Sequence, residues 1–253
     1  MAKPQFLTRK ATAKLKRLAI KSCFKRFNVK WNRVAGGNVK NFGGVTWLHT
    51  PGGQHTILWP LNPRIGADKA LDHILSYFRR VEAPRVSCSF RHPSKPRDLS
   101  ARLLARGFQW HPEPNQWMWL DCRGMDRSAS CPKNVTIQNL QIFPDAKADD
   151  LPFFSSQQAA ILPRLLRERP PSVFFFAVWQ HNKLIGQATL HISTGKYGIA
   201  SLHDVGVVPQ ARGEGIGKAL TLEVCKFAEQ AGCRYVATYA SPMGQWTYRS
   251  IGF

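Results

Sequence analysis

Three glycines at alternate positions, Gly213, Gly215 and Gly217, stand between an apolar stretch, Leu202 to Val208, and a segment with helical apolar spacing, Ile216 to Gln230. No other feature restricts the chain as much. Alternate glycines let consecutive backbone N–H groups turn toward one anion. A helix beginning just after them adds the positive end of its dipole and its unpaired first-turn donors, so the loop can cradle a pyrophosphate without help from a side chain. Two common phosphate loops are excluded by position. A P-loop ending at Gly217-Lys218 requires glycine at 212 and serine or threonine at 219, where the chain has Arg212 and Ala219. A dinucleotide fingerprint starting at Gly213 requires glycine at 218, where Lys218 stands.

The order Val207-Val208-Pro209-Gln210-x-x-Gly213-x-Gly215-x-Gly217 resembles the acetyl-CoA loop of the GNAT superfamily of acyl-CoA-dependent N-acyltransferases. A second motif follows, Tyr248-Arg249-Ser250-Ile251-Gly252-Phe253, similar to the superfamily's last helix, Y-x-x-x-G-F. The stretch Ala240-Ser241-x-Met243-Gly244-x-x-x-Tyr248 resembles a tandem-domain group of the same superfamily. The resemblance implies acetyl transfer from acetyl-CoA to a primary amine by direct attack in a ternary complex, or, as the alternative, a catalytically weak remnant that binds acyl-CoA. It carries cofactor contacts onto Val207, Val208, Gln210, Arg212, Gly213, Glu214, Gly215, Ile216, Gly217, Lys218, Ser241 and Tyr248. It also implies that Tyr248 faces the thioester sulfur, that a backbone N–H near Val207 meets the oxyanion, and that the cofactor strand and the next strand splay apart.

An amine attacks a thioester only as the free base, yet a lysine-type ammonium has a pKa near ~10.4. Some base or water chain must take the proton. His203 and Asp204 follow one another on the expected cofactor strand, and alternation lets only one face the substrate. His203 is the candidate base, with a packed strand histidine as the other reading. Tyr248 is the candidate proton donor to the departing thiolate.

The net charge is +21, and it is unevenly spread. The first acidic residue is Asp68, so the first 67 residues carry +13 and the remaining 186 carry +8. Such an arm can track a nucleic-acid backbone or an acidic partner. It can equally be the exposed side of a helix from Ala11 to Phe27 whose Leu15, Leu18, Ala19, Cys23 and Phe27 pack inward. No apolar run approaches ~18 residues, so no membrane partner is expected and a cytoplasmic location is. The six cysteines form no metal-ligand spacing, and no metal is expected.

The fold expected is mixed α/β: two GNAT-like domains, each a mostly antiparallel mixed sheet flanked by helices. The boundaries are a basic arm over 1–26, a degenerate GNAT-like domain over 27–125, a linker over 126–133 and the acetyltransferase domain over 134–253. In the first domain, strands at Gly44 to His49 and His55 to Leu61, a helix from Ala67 to Arg80, a strand at Arg85 to Phe90 and a helix from Arg97 to Arg106 precede a closing strand at Trp117 to Leu120. Trp31 onward reads as the entry to the first strand. Leu103 to Phe108 echoes the Gly-Phe ending of the second half, but no Q-x-x-G-x-G loop stands here. In the second domain, one or two helices fall between Asp145 and Arg169, and a hairpin joins Ser172 to Trp179 with Lys183 to Ile192. The family continues for two strands beyond a motif like the one ending at Phe253, so the chain reads either as truncated or as a reduced form whose sheet edge is covered by the first domain; without such cover the edge after Ala240 is open.

Overall fold

The computed structural model describes residues 5–90, 93–110, 115–142 and 155–253. It divides into two compact units, one of Met1–Phe27 with Glu113–Phe253 and one of Asn28–Pro112. The first helix, α1 (Ala13–Val34), runs through the boundary between them in sequence. Its extent corrects the expectation that Trp31 leads into a strand: Trp31 lies in the last turns of the helix.

The unit of Asn28–Pro112 holds a four-stranded sheet, β1 (Asn38–Phe42), β2 (Val45–His49), β3 (His55–Leu58) and β4 (Val86–Ser89), in that spatial order. β1 and β2 are antiparallel, as are β2 and β3, while β3 and β4 are parallel. The crossover is α2 (Ala67–Arg80), whose Ala70, Leu71, Ile74 and Phe78 fall at helical spacing and are buried against Val45, Trp47, Ile57 and Trp59. A short helix, α3 (Leu99–Leu104), adds Leu99 and Leu103 to the same core.

The other unit is built on a six-stranded sheet. Its strands are β5 (Gln116–Asp121), β6 (Val135–Leu140), β7 (Val173–Gln180), β8 (Lys183–Ile192), β9 (Ala200–Val207) and β10 (Tyr235–Ala240), in the order β5-β10-β9-β8-β7-β6. The hairpin between β7 and β8 turns at His181 and Asn182, both with positive φ, as a two-residue turn requires. Its helices beside α1 are α4 (Ser156–Arg167), which precedes β7, α5 (Ile216–Gln230) and α6 (Pro242–Arg249). The expected helical region starting at Asp145 lies in part outside the described residues; within them it is α4, opened by a capping box between Ser155 and Gln158.

β5 overturns one expectation and decides between two others. Trp117 to Leu120 does not close the sheet of the first half; it pairs antiparallel with β10, from Tyr235 against Asp121 to Ala240 against Gln116. The edge of β10 is therefore not open, because an earlier segment of the chain supplies its neighbour. The reason is legible in the alternation of β5. Met118 and Leu120 pack into the core with Val236 and α5, while Trp117 and Trp119 face the cluster of Tyr235, Ala237 and α1. The basic segment accordingly provides a docked helix. Leu15, Ala19, Ile20 and Cys23 of α1 are buried in that cluster, and Phe27 is buried too, whereas Lys14, Arg17, Lys25 and Arg26 are exposed. Burying side chains of this size contributes roughly 1.5–3 kcal/mol each for the large ones.

Candidate active site

β9 and β10 run parallel only over Ala200 to Leu202 and Val236 to Thr238. Beyond that pair their pairing ends and leaves a gap. Its apex is closed by the Thr238 hydroxyl, which donates to the Leu202 carbonyl at 3.1 Å.

One rim of the gap is irregular. Thr189 of β8 pairs with His203 and Gln187 pairs with Gly206, so Asp204 and Val205 together face the single residue Ala188. This is a β-bulge, and its first residue, Asp204, has φ +50°. Aspartate tolerates that left-handed conformation better than most side chains. The bulge breaks the strict alternation assumed for His203 and Asp204. The Asp204 carboxylate is hydrogen-bonded by Gln158 in the first turn of α4 and lies within electrostatic reach of Tyr248. Asp204 keeps part of its surface accessible, but burial of its carboxyl pushes the pKa up to about 6, with the Gln158 bond opposing.

His203 is turned elsewhere. Its ring stacks on Phe27 of α1, centroids 4.0 Å apart at 18°, and its Nε2 is hydrogen-bonded to the Ser201 hydroxyl at 2.8 Å. Ser201 in turn meets Cys23 at 3.2 Å. Burial lowers the His203 pKa to about 4, so the ring is neutral at physiological pH. Of the two adjacent candidates, His203 packs toward α1, and Asp204 is the one grouped with Tyr248.

Tyr248 sits on α6, 7% exposed, among the core residues that α5 and the sheet share. Its hydroxyl is engaged by Thr238, and burial raises its pKa to about 12, helped by the nearby Cys225 and Asp204. Gly252, at φ +107°, ends the helix, and Phe253 folds back to 5.4 Å from the Tyr248 ring. Ser241, an expected cofactor contact, is the N-cap of α6: its hydroxyl accepts from the Gly244 N–H at 3.2 Å.

At the end of β9 a single 3₁₀ turn, Pro209–Ala211, leads into the glycine loop. Gly213 and Gly215 have φ of +87° and +79°, and a Cβ on either would meet nothing within 4 Å, so backbone conformation, not crowding, demands glycine there. Gly215 is the N-cap of α5 and carries no side-chain cap, which leaves the first-turn N–H groups of α5 directed at the loop. Gly217 lies beside Thr247 of α6. The side chains sort by role. Val207 and Ile216 are buried in the core, Val208 is half-buried, and Gln210 and Glu214 are exposed. Arg212 folds back, its Nε donating to the Val207 carbonyl at 3.0 Å. Lys218 pairs with Asp126 at 3.5 Å, which is the behaviour of an ordinary partly exposed helix residue. Among the described residues no group of three or more His, Cys, Asp or Glu could hold a metal ion, and no helix is long and apolar enough to cross a membrane.

Sequence reasoning missed the grouping of Asp204 and Gln158. The signal available was local: an aspartate in a strand otherwise rich in β-formers marks a position where a bulge is tolerated.

Residues 140–252 match the acetyltransferase (GNAT) family. A curated relative, the glucosamine 6-phosphate N-acetyltransferase of Trypanosoma brucei brucei, is 32% identical over 75 residues, which is 28% of this chain and 51% of that protein. The chain thus spans about half the length of that relative. Among solved structures, a GCN5-related N-acetyltransferase from Kribbella flavida superposes with a TM-score of 0.61 at 13% identity, covering 92% of this chain and 89% of its own. A tandem GNAT protein from the clavulanic acid biosynthesis pathway superposes with a TM-score of 0.55 at 18% identity, covering 80% and 73%. At these identities the two GNAT structures share the fold.

Proposed function

We propose that this protein transfers the acetyl group of acetyl-CoA to a primary amine by direct attack in a ternary complex. The observation that carries the reading is the β9–β10 gap, with Asp204 and Tyr248 grouped at it and the uncapped start of α5 beyond the end of β9. In this reading the N–H groups of Gly213 to Lys218 hold the pyrophosphate, and the strand edges past Leu202 and Thr238 hydrogen-bond the extended arm of the cofactor.

The chemistry assigns a role to each group at the gap. Asp204, charged above pH of about 6, attracts the incoming ammonium and takes its proton, directly or through a water. This places the base one residue from His203, whose neutral ring is engaged with Ser201 and Phe27. The amine then attacks the thioester carbonyl, and an N–H of the bulged end of β9 near Val207 meets the oxyanion. Collapse of the tetrahedral species expels the thiolate. With a pKa of about 12, Tyr248 is fully protonated; its hydroxyl proton turns from Thr238, whose own proton is given to the Leu202 carbonyl, to that sulfur, and a thiol of pKa ~8.5 needs only partial proton donation to leave.

The tandem reading is supported by order and pairing. An antiparallel pair, a helix and a parallel strand follow one another as β2-β3-α2-β4 and again as β8-β9-α5-β10. The helix starts also correspond: Gly66-Ala67-Asp68-Lys69-Ala70-Leu71 against Gly215-Ile216-Gly217-Lys218-Ala219-Leu220. Asp68 stands where the second copy has Gly217, and its carboxylate pairs with Arg102 and Arg106. Arg64 and Asp68 stand where the second copy has Gly213 and Gly217, so in this reading the alternate glycines of the cofactor loop belong to the second half alone.

The test is thiol release from acetyl-CoA against a panel of primary amines. Release above the amine-free rate supports transfer. Acetyl-CoA binding without release across the panel favours the alternative, an acyl-CoA-binding remnant.

A further inference from the structure

Two helix ends in the chain are built alike and covered differently. After α3 the backbone N–H groups of Arg106, Gly107 and Phe108 donate to the carbonyls of Leu103, Leu104 and Leu103; after α6 those of Ile251, Gly252 and Phe253 donate to Tyr248, Arg249 and Tyr248. Both glycines have positive φ, +83° and +107°. A Cβ on Gly252 would lie 3.1 Å from the Gly124 carbonyl and 3.6 Å from Leu120 of β5. A Cβ on Gly107 would meet nothing within 4 Å among the described residues.

The strands before those helices differ in the same way. β10 precedes α6 and has β5 antiparallel along its outer edge, with α6 packed on β5. β4 precedes α3, and among the described residues it is the last strand of its sheet. The Ser89 carbonyl accepts from Trp59, which follows β3, so Ser87 and Ser89 turn their backbone groups toward β3 while Val86 and Cys88 turn theirs outward. Nothing in Val86 to Ser89 protects that edge, since it holds no lysine, no proline and no bulge. Beside it Trp110 is 69% exposed, with its ring 6.4 Å from that of Phe90, and Leu104 of α3 is 54% exposed.

We propose that β4 pairs antiparallel with β4 of a second copy of this chain, joining two four-stranded sheets into one of eight strands. A twofold axis normal to the sheet presents the same edge in the opposite sense, so a second copy supplies the antiparallel neighbour that β5 gives to β10. Val86 and Cys88 pack on the α2 side, and like faces meet when the axis passes through Ser87 or Cys88. Charge also selects the occupant. The chain carries +21, yet Val86 to Ser89 is uncharged: an acidic strand finds no cation within β4 to pair with, and a second copy meets no like charge there. The inference stands apart from the acetyltransferase reading.

Sedimentation equilibrium from nanomolar to high-micromolar protein, at low and high salt, tests this on wild type, Ser87→Lys, Cys88→Pro and Gln138→Lys. Ser87 is exposed on the face away from α2, where a lysine blocks edge pairing. Cys88→Pro removes an outward N–H and keeps the bonds to β3. Gln138→Lys adds the same charge to β6, an edge strand of the other sheet. Wild type and Gln138→Lys are expected to dimerise in the micromolar range, more tightly at high salt because screening relieves repulsion between the copies. Ser87→Lys and Cys88→Pro are expected to weaken the dimer by about tenfold or more while remaining folded by circular dichroism. Hydrogen exchange on wild type should show the Val86 and Cys88 amides becoming protected as concentration rises. A wild type that is monomeric throughout, or a dimer that leaves those amides unprotected, overturns the proposal. So does a dimer that survives in folded Ser87→Lys or is lost equally in Gln138→Lys.

Discussion

Thr238 serves both sides of the gap: its hydroxyl donates to the carbonyl of Leu202, the last β9 residue paired with β10, and its side chain also engages the hydroxyl of Tyr248. The point at which the strands separate and the orientation of the phenol are thereby set by one residue.

Replacing Tyr248 by Phe removes the proton donor and keeps the buried ring. Turnover is expected to fall by about 100–10,000-fold, the range of a single positioned acid, with acetyl-CoA affinity within twofold of wild type. Steady-state kinetics and calorimetry on the same preparation check this. An unchanged turnover number removes Tyr248 from the mechanism.

The pKa of Asp204 predicts how activity and stability depend on pH. Because its folded pKa is raised from 3.8 to about 6, the charged form is disfavoured in the folded state. Between those values the folded chain binds the extra proton, so this group's contribution to stability is greatest at low pH and is lost as pH rises from about 4 to 6. Activity runs the other way, since the base must be deprotonated: kcat/KM should climb through pH of about 6. Asp204→Asn should abolish that limb of the profile, lower turnover and raise the melting temperature at pH 7. A variant with wild-type activity and profile contradicts the assignment.

For His203 the expectation is the reverse. Substitution by Gln removes the stacked ring on Phe27 and keeps a hydrogen-bonding group near Ser201. The melting temperature should fall by a few degrees, consistent with a loss of about 0.5–1.5 kcal/mol for an aromatic pair, while the pH limb near 6 persists. Loss of that limb in a folded His203→Gln protein would return the role of base to His203.

The long periodic elements were legible because a single local pattern decided them. Ala67 to Arg80 and Ile216 to Gln230 were read at their observed bounds from apolar spacing and the glycine before each. The loop was legible because the left-handed backbone at Gly213 and Gly215 needs glycine, independent of any distant contact. Trp117 to Leu120 was readable as a strand but not as to its partner: its alternation fits any two-sided core, and only tertiary pairing with β10 selects the sheet. The error at Trp31 has the same origin, since aromatic and β-branched residues favour a strand locally while α1 is held by packing further back. Asp204 was not grouped with Tyr248 from the sequence because alternation was assumed to run unbroken through a bulge. One extra residue reverses which side chain faces the gap.

The central claim is that the loop from Gly213 to Lys218 binds acetyl-CoA, and calorimetric titration of acetyl-CoA into wild type, Gly215→Asn and Gly215→Glu tests it most directly. Asparagine tolerates the left-handed backbone of Gly215 and is uncharged, whereas glutamate adds a negative charge at the start of α5 and strains the loop by about 1–2 kcal/mol. The account predicts micromolar binding by wild type, weaker binding by Gly215→Asn and none by Gly215→Glu, with all three folded by circular dichroism. No binding by wild type, or equal binding by Gly215→Glu, would contradict it.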